Sequence, residues 1–194
     1  MCGRYVIEED GSVDIRALYE ELAVTAPSAR LKRGEIFPTD TVPILCRTRD
    51  PARLYAPAPA VWGIPSPTGK GIVINARAET ASEKPLFSES LARRRCVIPT
   101  LGYYEWSRDK SKHRFSLPDA EVTYLCGLWR MDENGIPRFA VLTTAANDSV
   151  SAIHPRMPLF LPAHRMADWL HDPAFAVYHL RATMPPLRVT AVGI

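Results

Sequence analysis

The pattern of hydrophobic and polar positions along the chain predicts four short helices. In the first, apolar residues recur at the three- and four-residue spacing of an amphipathic helix, with Ser12 as its N-cap. A capping box at residues 80–83 precedes the second helix, and in the last three helices a proline occupies the first turn, where a missing N–H is tolerated. The predicted helices cover residues 13–23, 85–91, 162–170 and a stretch that begins at Pro173.

Six stretches rich in β-branched and aromatic residues predict strands, with Asn134-Gly135 as a hairpin turn between the last two. Strands outnumber helices and do not alternate with them. The sequence therefore predicts an α+β fold, a single mixed domain over residues 1–194 with a largely antiparallel, barrel-like β core flanked by short helices. The proline-rich stretch 55–69 is predicted to be a loop with a short strand. The predicted strands cover residues 42–47, 72–75, 96–98, 102–106, 122–130 and 136–144.

Composition excludes several protein classes. The chain has 194 residues, of which 46% are hydrophobic and 23% charged, with a formal net charge of +3. These values are typical of globular domains and not of disordered, coiled-coil or collagen-like chains. The sequence contains no apolar run of about 18 residues and does not open on the long apolar stretch of a signal peptide. We therefore expect a cytoplasmic protein without membrane contact.

The sequence motifs do not indicate a metal ion or a nucleotide cofactor. The cysteines are too far apart for a zinc knuckle, and the histidines form no metal-binding pair on a helix. The 10 glycines include no Gly-rich phosphate loop. Cys46, Cys96 and Cys126 lie in apolar runs, which is typical of small buried residues. We expect no metal and no cofactor.

Cys2 carries the most informative chemistry. Removal of Met1 would leave a 1,2-aminothiol, a free amine and a thiol on one residue. An aldehyde condenses with the amine to an imine, and the thiol then closes onto the imine carbon as a thiazolidine. The ordinary pKa values, about 8 for the amine and about 8.5 for the thiol, place both groups within reach at neutral pH. By itself, Cys2 is equally compatible with an unconstrained terminal residue.

Five blocks in a fixed order give Cys2 a context. The sequence resembles the SRAP family, the SOS-response-associated peptidases, whose members shield abasic sites in single-stranded DNA through an N-terminal cysteine. The resemblance implies removal of Met1, as a self-processing peptidase step, and a thiazolidine crosslink to the abasic deoxyribose; it leaves lyase activity open. The blocks are Met1–Tyr5, Asn75–Thr80, Arg95–Pro99 leading into Gly102–Trp106, Gly127–Trp129 and Ile153–Pro158.

These blocks supply four catalytic candidates. The Asn75 amide oxygen can orient the Cys2 amine. Glu105, between two aromatic residues, is expected to have a raised pKa and to exchange protons with the sugar oxygen, although the alternation of the strand also permits a solvent-facing carboxylate. His154 can relay protons during imine formation, although a lone histidine is more often structural. The catalytic candidates are Cys2, Asn75, Glu105 and His154.

The DNA-binding candidates combine cations, which bind phosphates, with aromatic rings, which stack on bases. The expected partner is single-stranded DNA containing abasic sites, bound by a monomer, and we expect the protein to associate with the nucleoid when it is bound to DNA. Two segments depart from the family pattern: residues 32–39 keep only its Pro-Thr pair and add Glu35, and Trp62-Gly63-Ile64-Pro65 is followed by no second tryptophan. The DNA-binding candidates are Arg4, Pro38, Trp62, Arg77, Trp106 and Arg156.

Two other functions remain open from the sequence. Met-Cys-Gly also opens N-terminal-nucleophile amidohydrolases and glutamine amidotransferases, in which the thiol attacks an amide. Asn134-Gly135 weakly resembles a loop in such enzymes, although it is better explained as a hairpin turn. The third function is a noncatalytic single-strand binder that uses the arginines and tryptophans while Cys2 is inert.

Overall fold

The computed structural model describes residues 2–8 and 12–193, and confirms an α+β fold of mostly antiparallel sheets with few short helices. None of the helices in these ranges is long and apolar enough to cross a membrane. The helices are α1 (Val13–Thr25), α2 (Ser88–Arg93), α3 (Asp148–Ser151), α4 (Met166–His171) and α5 (Pro173–His179), with 3-10 turns at Ala78–Thr80 and Ala163–Arg165. The strands are β1 (Tyr5–Ile7), β2 (Gly34–Ile36), β3 (Thr41–Arg47), β4 (Tyr55–Trp62), β5 (Ile64–Pro65), β6 (Ile72–Val73), β7 (Asn75–Arg77), β8 (Arg95–Thr100), β9 (Gly102–Trp106), β10 (Lys112–Ser116), β11 (Thr123–Met131), β12 (Pro137–Ala145), β13 (Arg156–Pro158), β14 (Phe160–Leu161) and β15 (Arg188–Val192).

Two of the predicted helices form as expected and two differ. The Ser12 hydroxyl accepts a hydrogen bond from the N–H of Asp14 and caps α1, and Pro173 occupies the first turn of α5. The capping box at residues 80–83 is wrong, because a 3-10 turn precedes it and α2 begins only at Ser88, without a side-chain cap. The helix predicted from Pro162 is a 3-10 turn followed by α4.

Two sheets enclose the core. The first has the order β15-β10-β9-β1-β2 and is antiparallel throughout. The second has the order β13-β12-β4-β3-β8-β11-β14, and β7 adds to β12 as a parallel strand. Because β11 also pairs with β12, five of these strands approach a closed ring. The ring is partial, since β4 meets β12 through only two residue pairs.

The prediction of a loop over residues 55–69 is wrong for its first half. Tyr55–Trp62 forms β4, which pairs with β3 along its whole length. Pro57 and Pro59 obscured the strand in the sequence. They are tolerated because the pairing of β4 with β12 covers only Val61 and Trp62, so the prolines lie on a free edge on that side.

A sharp bend joins the two sheets and sets the position of β9. The Thr100 hydroxyl at the end of β8 bonds to the carbonyls of Val6 and Gly102, at 2.7 and 2.8 Å. Gly102 has φ +147, and a Cβ there would lie 2.6 Å from the carbonyl oxygen of Phe115. Only glycine fits this bend. The chain thereby passes from the second sheet into β9 of the first, which carries Glu105.

Candidate active site

The backbone of Cys2 is held by Asn75. Cys2 directly precedes β1, and its side chain is completely buried. Asn75 begins β7 in the other sheet, and its Nδ2 donates a hydrogen bond of 2.9 Å to the carbonyl oxygen of Cys2. The Asn75 Oδ1 is buried and accepts no hydrogen bond from the residues that the structure describes. An acceptor beside Cys2 is therefore unused. Met1, whose removal the resemblance implies, lies outside the described residues.

The Cys2 thiol does not titrate near its ordinary value. Burial raises the pKa of Cys2 strongly, and the negative charge of Glu105 acts in the same direction. The thiol makes a long contact of 3.9 Å with the carbonyl oxygen of Arg4. The expectation that the thiol keeps its ordinary pKa is corrected: burial favours the protonated sulfur, and a base must remove that proton for a thiolate to form.

Glu105 faces the protein interior. It is 4% exposed, so the alternative of a solvent-facing strand carboxylate is wrong. Burial raises the pKa of Glu105, although the charge of His154 opposes the shift. On β9 it shares a face with the core residue Tyr103 two positions earlier, as strand alternation requires. The carboxyl group therefore combines a proton affinity above the ordinary range with a position inside the fold.

His154 faces Glu105 from the second sheet. It lies in the turn between α3 and β13, half-buried, with its Nδ1 3.7 Å from Oε1 of Glu105. The same Nδ1 lies 3.1 Å from the backbone nitrogen and 3.0 Å from the carbonyl oxygen of Arg156, so it has a hydrogen-bond partner in either tautomer, and these contacts fix the ring. The structure thus places a carboxyl group and an imidazole side by side, and such a pair can pass a proton between them.

Trp62 is not a surface residue, which corrects its assignment as a DNA-stacking side chain. It is 0% exposed, and its ring packs against Tyr5 at a centroid distance of 5.0 Å. Its indole N–H donates to the carbonyl of Ile74, and its backbone carbonyl accepts from the N–H of Thr39 at 2.8 Å. Trp62 therefore has a structural role. It holds the turn that carries Pro38, and it holds Ile74, the residue before Asn75.

The arginines at the edge of the second sheet differ in availability. Arg156 forms a bidentate ion pair with Glu79, at 2.6 and 2.8 Å, and also donates to the carbonyl of Thr143. Arg156 can bind a phosphate only by exchanging this pair for it, so its assignment as a phosphate ligand stays a prediction. Arg77 on β7 is exposed, with no acidic partner in the part of the chain that the structure describes. Of the two, Arg77 is the cation open to a phosphate.

Arg4 and Trp106 lie together on the outer face of the first sheet. The Arg4 guanidinium lies 4.9 Å from the Trp106 ring centroid and 4.0 Å from that of Phe37, on the turn that also carries the half-buried Pro38. Thr39 closes this turn with φ +79, an unusual conformation for a β-branched residue. Arg4, Pro38 and Trp106 are thus neighbours, as the DNA-binding assignment requires.

Two side chains on this face, Phe37 and Lys112, are not among the DNA-binding residues predicted from the sequence. Phe37 is 41% exposed beside Arg4. Lys112 on β10 lies opposite Trp106, with its Nζ 4.0 Å from the ring centroid of Tyr104, and contacts Glu35. The available signals were the alternation of residues 104 and 106 along a strand and the departure of residues 32–39 from the family pattern.

In the described residues, no group of three or more histidine, cysteine or acidic side chains is arranged to hold a metal ion. The fold and the site define a protein in which a buried cysteine at position 2 is held by an amide beside a carboxyl–imidazole pair, at the junction of two sheets. The chain belongs to the SOS response associated peptidase (SRAP) family, whose model matches residues 1–192.

Its relatives share both sequence and fold. The abasic site processing protein YoqW of Bacillus subtilis is 33% identical over 138 residues, which cover 64% of this chain and 62% of that protein's length. The abasic site processing protein YedK of Escherichia coli is 25% identical over 183 residues, covering 89% of this chain and 80% of that protein. A crystal structure of a protein from Bordetella bronchiseptica is similar over 100% of both chains, with a TM-score of 0.77 and 25% identity. A second, from Bacteroides thetaiotaomicron, has a TM-score of 0.78 at 21% identity over 99% of this chain and 92% of its own.

Proposed function

We propose that this protein processes abasic sites in single-stranded DNA by forming a covalent thiazolidine between Cys2, freed of Met1, and the ring-opened abasic deoxyribose. The observation that carries the proposal is the convergence on Cys2 of residues from both sheets: Asn75 at 2.9 Å from its carbonyl oxygen, and Glu105 near enough for its charge to act on the thiol. Relatives named abasic site processing proteins support the same activity.

The reaction joins an aldehyde and an aminothiol with loss of one water. Hydrolysis of the Met1–Cys2 peptide bond creates the free amine. The amine nitrogen attacks the aldehyde carbon and forms a carbinolamine. The carbinolamine oxygen then takes a proton and departs as water, and an imine remains. The thiol sulfur then bonds to the imine carbon, and the thiol proton is transferred to nitrogen. Nothing is oxidised or reduced.

Each site residue has a role in this sequence. The unused Oδ1 of Asn75 accepts a hydrogen bond from the Cys2 amine and aims its lone pair. Glu105, with its raised pKa, donates a proton to the sugar oxygen as the ring opens and to the departing water. His154, with its Nδ1 3.7 Å from Oε1 of Glu105, resupplies Glu105 through one bridging water. The same pair accepts the thiol proton when sulfur attacks and passes it to nitrogen, which the raised pKa of Cys2 makes necessary.

The test compares two single-stranded oligonucleotides that differ only in one abasic site. After incubation with the protein, a denaturing gel should show a heat-stable, one-to-one adduct with the abasic strand alone. Cys2→Ala should abolish the adduct, and a tag placed before Met1 should block it. Mass spectrometry of the N-terminus reports whether Met1 is removed.

Other results would favour other functions. An adduct that persists in Cys2→Ala rules out the thiazolidine. Equal retention of both strands without an adduct indicates a noncatalytic binder. Release of ammonia from glutamine, lost in Cys2→Ala, indicates an amidotransferase; against that function, Asn134-Gly135 lies in the β11–β12 hairpin turn, whose N–H groups bond to Asp132.

A further inference from the structure

One carboxylate on the outer face of the first sheet holds two cations. The Glu35 Oε1 accepts hydrogen bonds from Nη1 of Arg4 at 3.1 Å and from Nζ of Lys112 at 2.7 Å. We call these three residues the Glu35 cluster. Their side chains are 23–31% exposed, so solvent and a ligand can reach all three. With one negative and two positive charges, the cluster keeps a net positive charge.

Aromatic rings flank the Glu35 cluster. The Arg4 guanidinium lies between the rings of Phe37 and Trp106, and Lys112 lies over Tyr104. Flat apolar rings beside cations are the combination with which proteins bind single-stranded nucleic acid, because bases stack on the rings while phosphates meet the cations. The surroundings of the cluster therefore fit a DNA strand better than they fit an isolated structural ion pair.

The contact between Arg4 and Glu35 uses only part of the guanidinium. A single nitrogen, Nη1, bonds to the carboxylate, and the Nε of Arg4 is buried without an acceptor among the described residues. A guanidinium reaches its full strength in bidentate contact with a phosphate or carboxylate. By contrast, Arg156 already forms a bidentate pair with Glu79. Arg4 thus keeps a donor that a phosphate could satisfy once Glu35 moves.

We propose that the Glu35 cluster is a binding site for one backbone phosphate of the DNA strand, and that the Glu35 carboxylate occupies the phosphate position in the free protein. The identity of the ligand rests on the function proposed above. Glu35 is then a competitor built into the binding face: DNA must displace it from Arg4 and Lys112, which lowers affinity for any strand. The cost falls equally on intact and abasic DNA, because a phosphate is common to both.

The charge state of Glu35 keeps this competition active at neutral pH. Partial burial by itself would raise the pKa of Glu35, but the hydrogen bonds and charges of Lys112 and Arg4 outweigh it and lower the pKa below its ordinary value. The carboxylate therefore stays ionised throughout the physiological range, and protonation cannot relieve the competition there.

The experiment measures binding of an intact, fluorescently labelled single strand by anisotropy at low and high salt. Glu35→Gln should bind roughly three- to tenfold tighter at low salt, and the advantage should shrink as salt screens the charges. The matched control is Glu21→Gln, which removes the same charge from a carboxylate paired with Arg53 on another element. Lys112→Gln should weaken binding, and in that background Glu35→Gln should give less than half of its usual gain in binding free energy.

Two results would overturn the proposal. One is equal affinity for Glu35→Gln and Glu21→Gln, which would reduce the effect to net charge. The other is absence of binding to the intact strand at low salt by every variant. The adduct assay on the abasic strand separates this inference from the proposed function. An adduct without a Glu35 effect removes only the inference, and a Glu35 effect without an adduct removes only the crosslinking reaction.

Discussion

At the scale of single residues, Glu105 lowers the stability of the fold at neutral pH, although the strand does not need a carboxyl group at this position. On the interior face it lies beside Tyr103 and 3.7 Å from Nδ1 of His154, and burial raises its pKa. Between its ordinary pKa and the raised one, the unfolded chain has released the proton while the folded chain keeps it. The free energy of unfolding therefore falls as pH rises through that interval. A carboxyl group that lowers stability at this position is therefore expected to have a function.

We expect Glu105→Gln to be more stable than the parent at about pH 7.5, by about 1 kcal/mol, because it removes a buried ionisable group and keeps its shape. Near about pH 3, where the carboxyl is protonated in both states, the difference should vanish. The same variant should form the abasic adduct roughly a hundredfold more slowly, because the proton donor is gone. Thermal unfolding at both pH values and a timed adduct assay measure these effects.

The control for Glu105→Gln is Glu83→Gln, a change at an exposed position. Surface changes of this kind stay within about 0.5 kcal/mol, so Glu83→Gln should leave both the stability and the rate of adduct formation unchanged. If Glu105→Gln slows nothing while stabilising the fold, Glu105 is a buried structural residue and the proton has another donor.

Single residues also set the limit of what the sequence reveals. Asn75, Glu105 and His154 were predicted by the order of the blocks, and the structure brings all three toward Cys2. Trp62 was misassigned because one tryptophan in a sequence looks the same in a core as on a surface. The raised pKa of Cys2 was missed for a related reason: burial depends on the residues packed around the thiol, which come from distant parts of the chain.

At the scale of elements, one buried arginine joins two helices. Arg95 at the start of β8 donates through Nη1 to the carbonyls of Leu91 and Ala92 at the end of α2, and through Nη2 to Leu170 near the end of α4. Its Nε donates to the carbonyl of Trp169. The carbonyls at a helix C-terminus lack partners within the helix, and here one guanidinium satisfies those of two helices.

We expect Arg95→Met to lower the free energy of unfolding by about 2–4 kcal/mol, because it leaves buried carbonyl groups without donors. Arg95→Lys should recover little of the loss, since one ammonium group cannot span carbonyls on two helices. Arg93→Met, at an exposed position two residues away, is the control and should change little. Urea unfolding measures all three, and a neutral Arg95→Met would mean that water replaces the arginine.

Helices and strands were predicted correctly where their side-chain periodicity is strong. Strands that form only because a neighbouring strand pairs with them were missed. Helix α1 and strand β9 match the predicted helix and strand, which begin at the same residues. Two strands of this sheet were missed. β1, which pairs with β9, is only three residues long, and β15, which pairs with β10, is mostly exposed, so neither shows the alternation of a half-buried strand. Such strands form because β9 and β10 offer them free edges, which a local sequence window does not contain.

At the scale of the whole molecule, the site exists only where the two sheets meet. Cys2 and Glu105 belong to the first sheet, and Asn75 and His154 to the second, so no single hairpin or helix carries the set. The bend at Gly102, between β8 and β9, connects the two sheets at this point. The family blocks are therefore spread over nearly the whole chain because the whole fold is needed to assemble them.

The charge distribution predicts how DNA binding responds to salt. The net charge of +3 is small, Arg156 is paired with Glu79, and the Glu35 cluster is proposed to bind one phosphate, so this cluster and Arg77 together provide about two phosphate contacts. Each phosphate contact on a single strand contributes about −0.7 to the slope of log affinity against log salt, which predicts a slope of about −1.4. Anisotropy titrations with an intact strand over a range of salt concentrations measure it. The final yield of adduct at saturating protein should not depend on salt, because a covalent bond, once formed, needs no counterion release. A slope steeper than about −5 would mean that a wider basic surface than the Glu35 cluster and Arg77 meets the DNA, and a slope near zero would mean that stacking alone holds the strand.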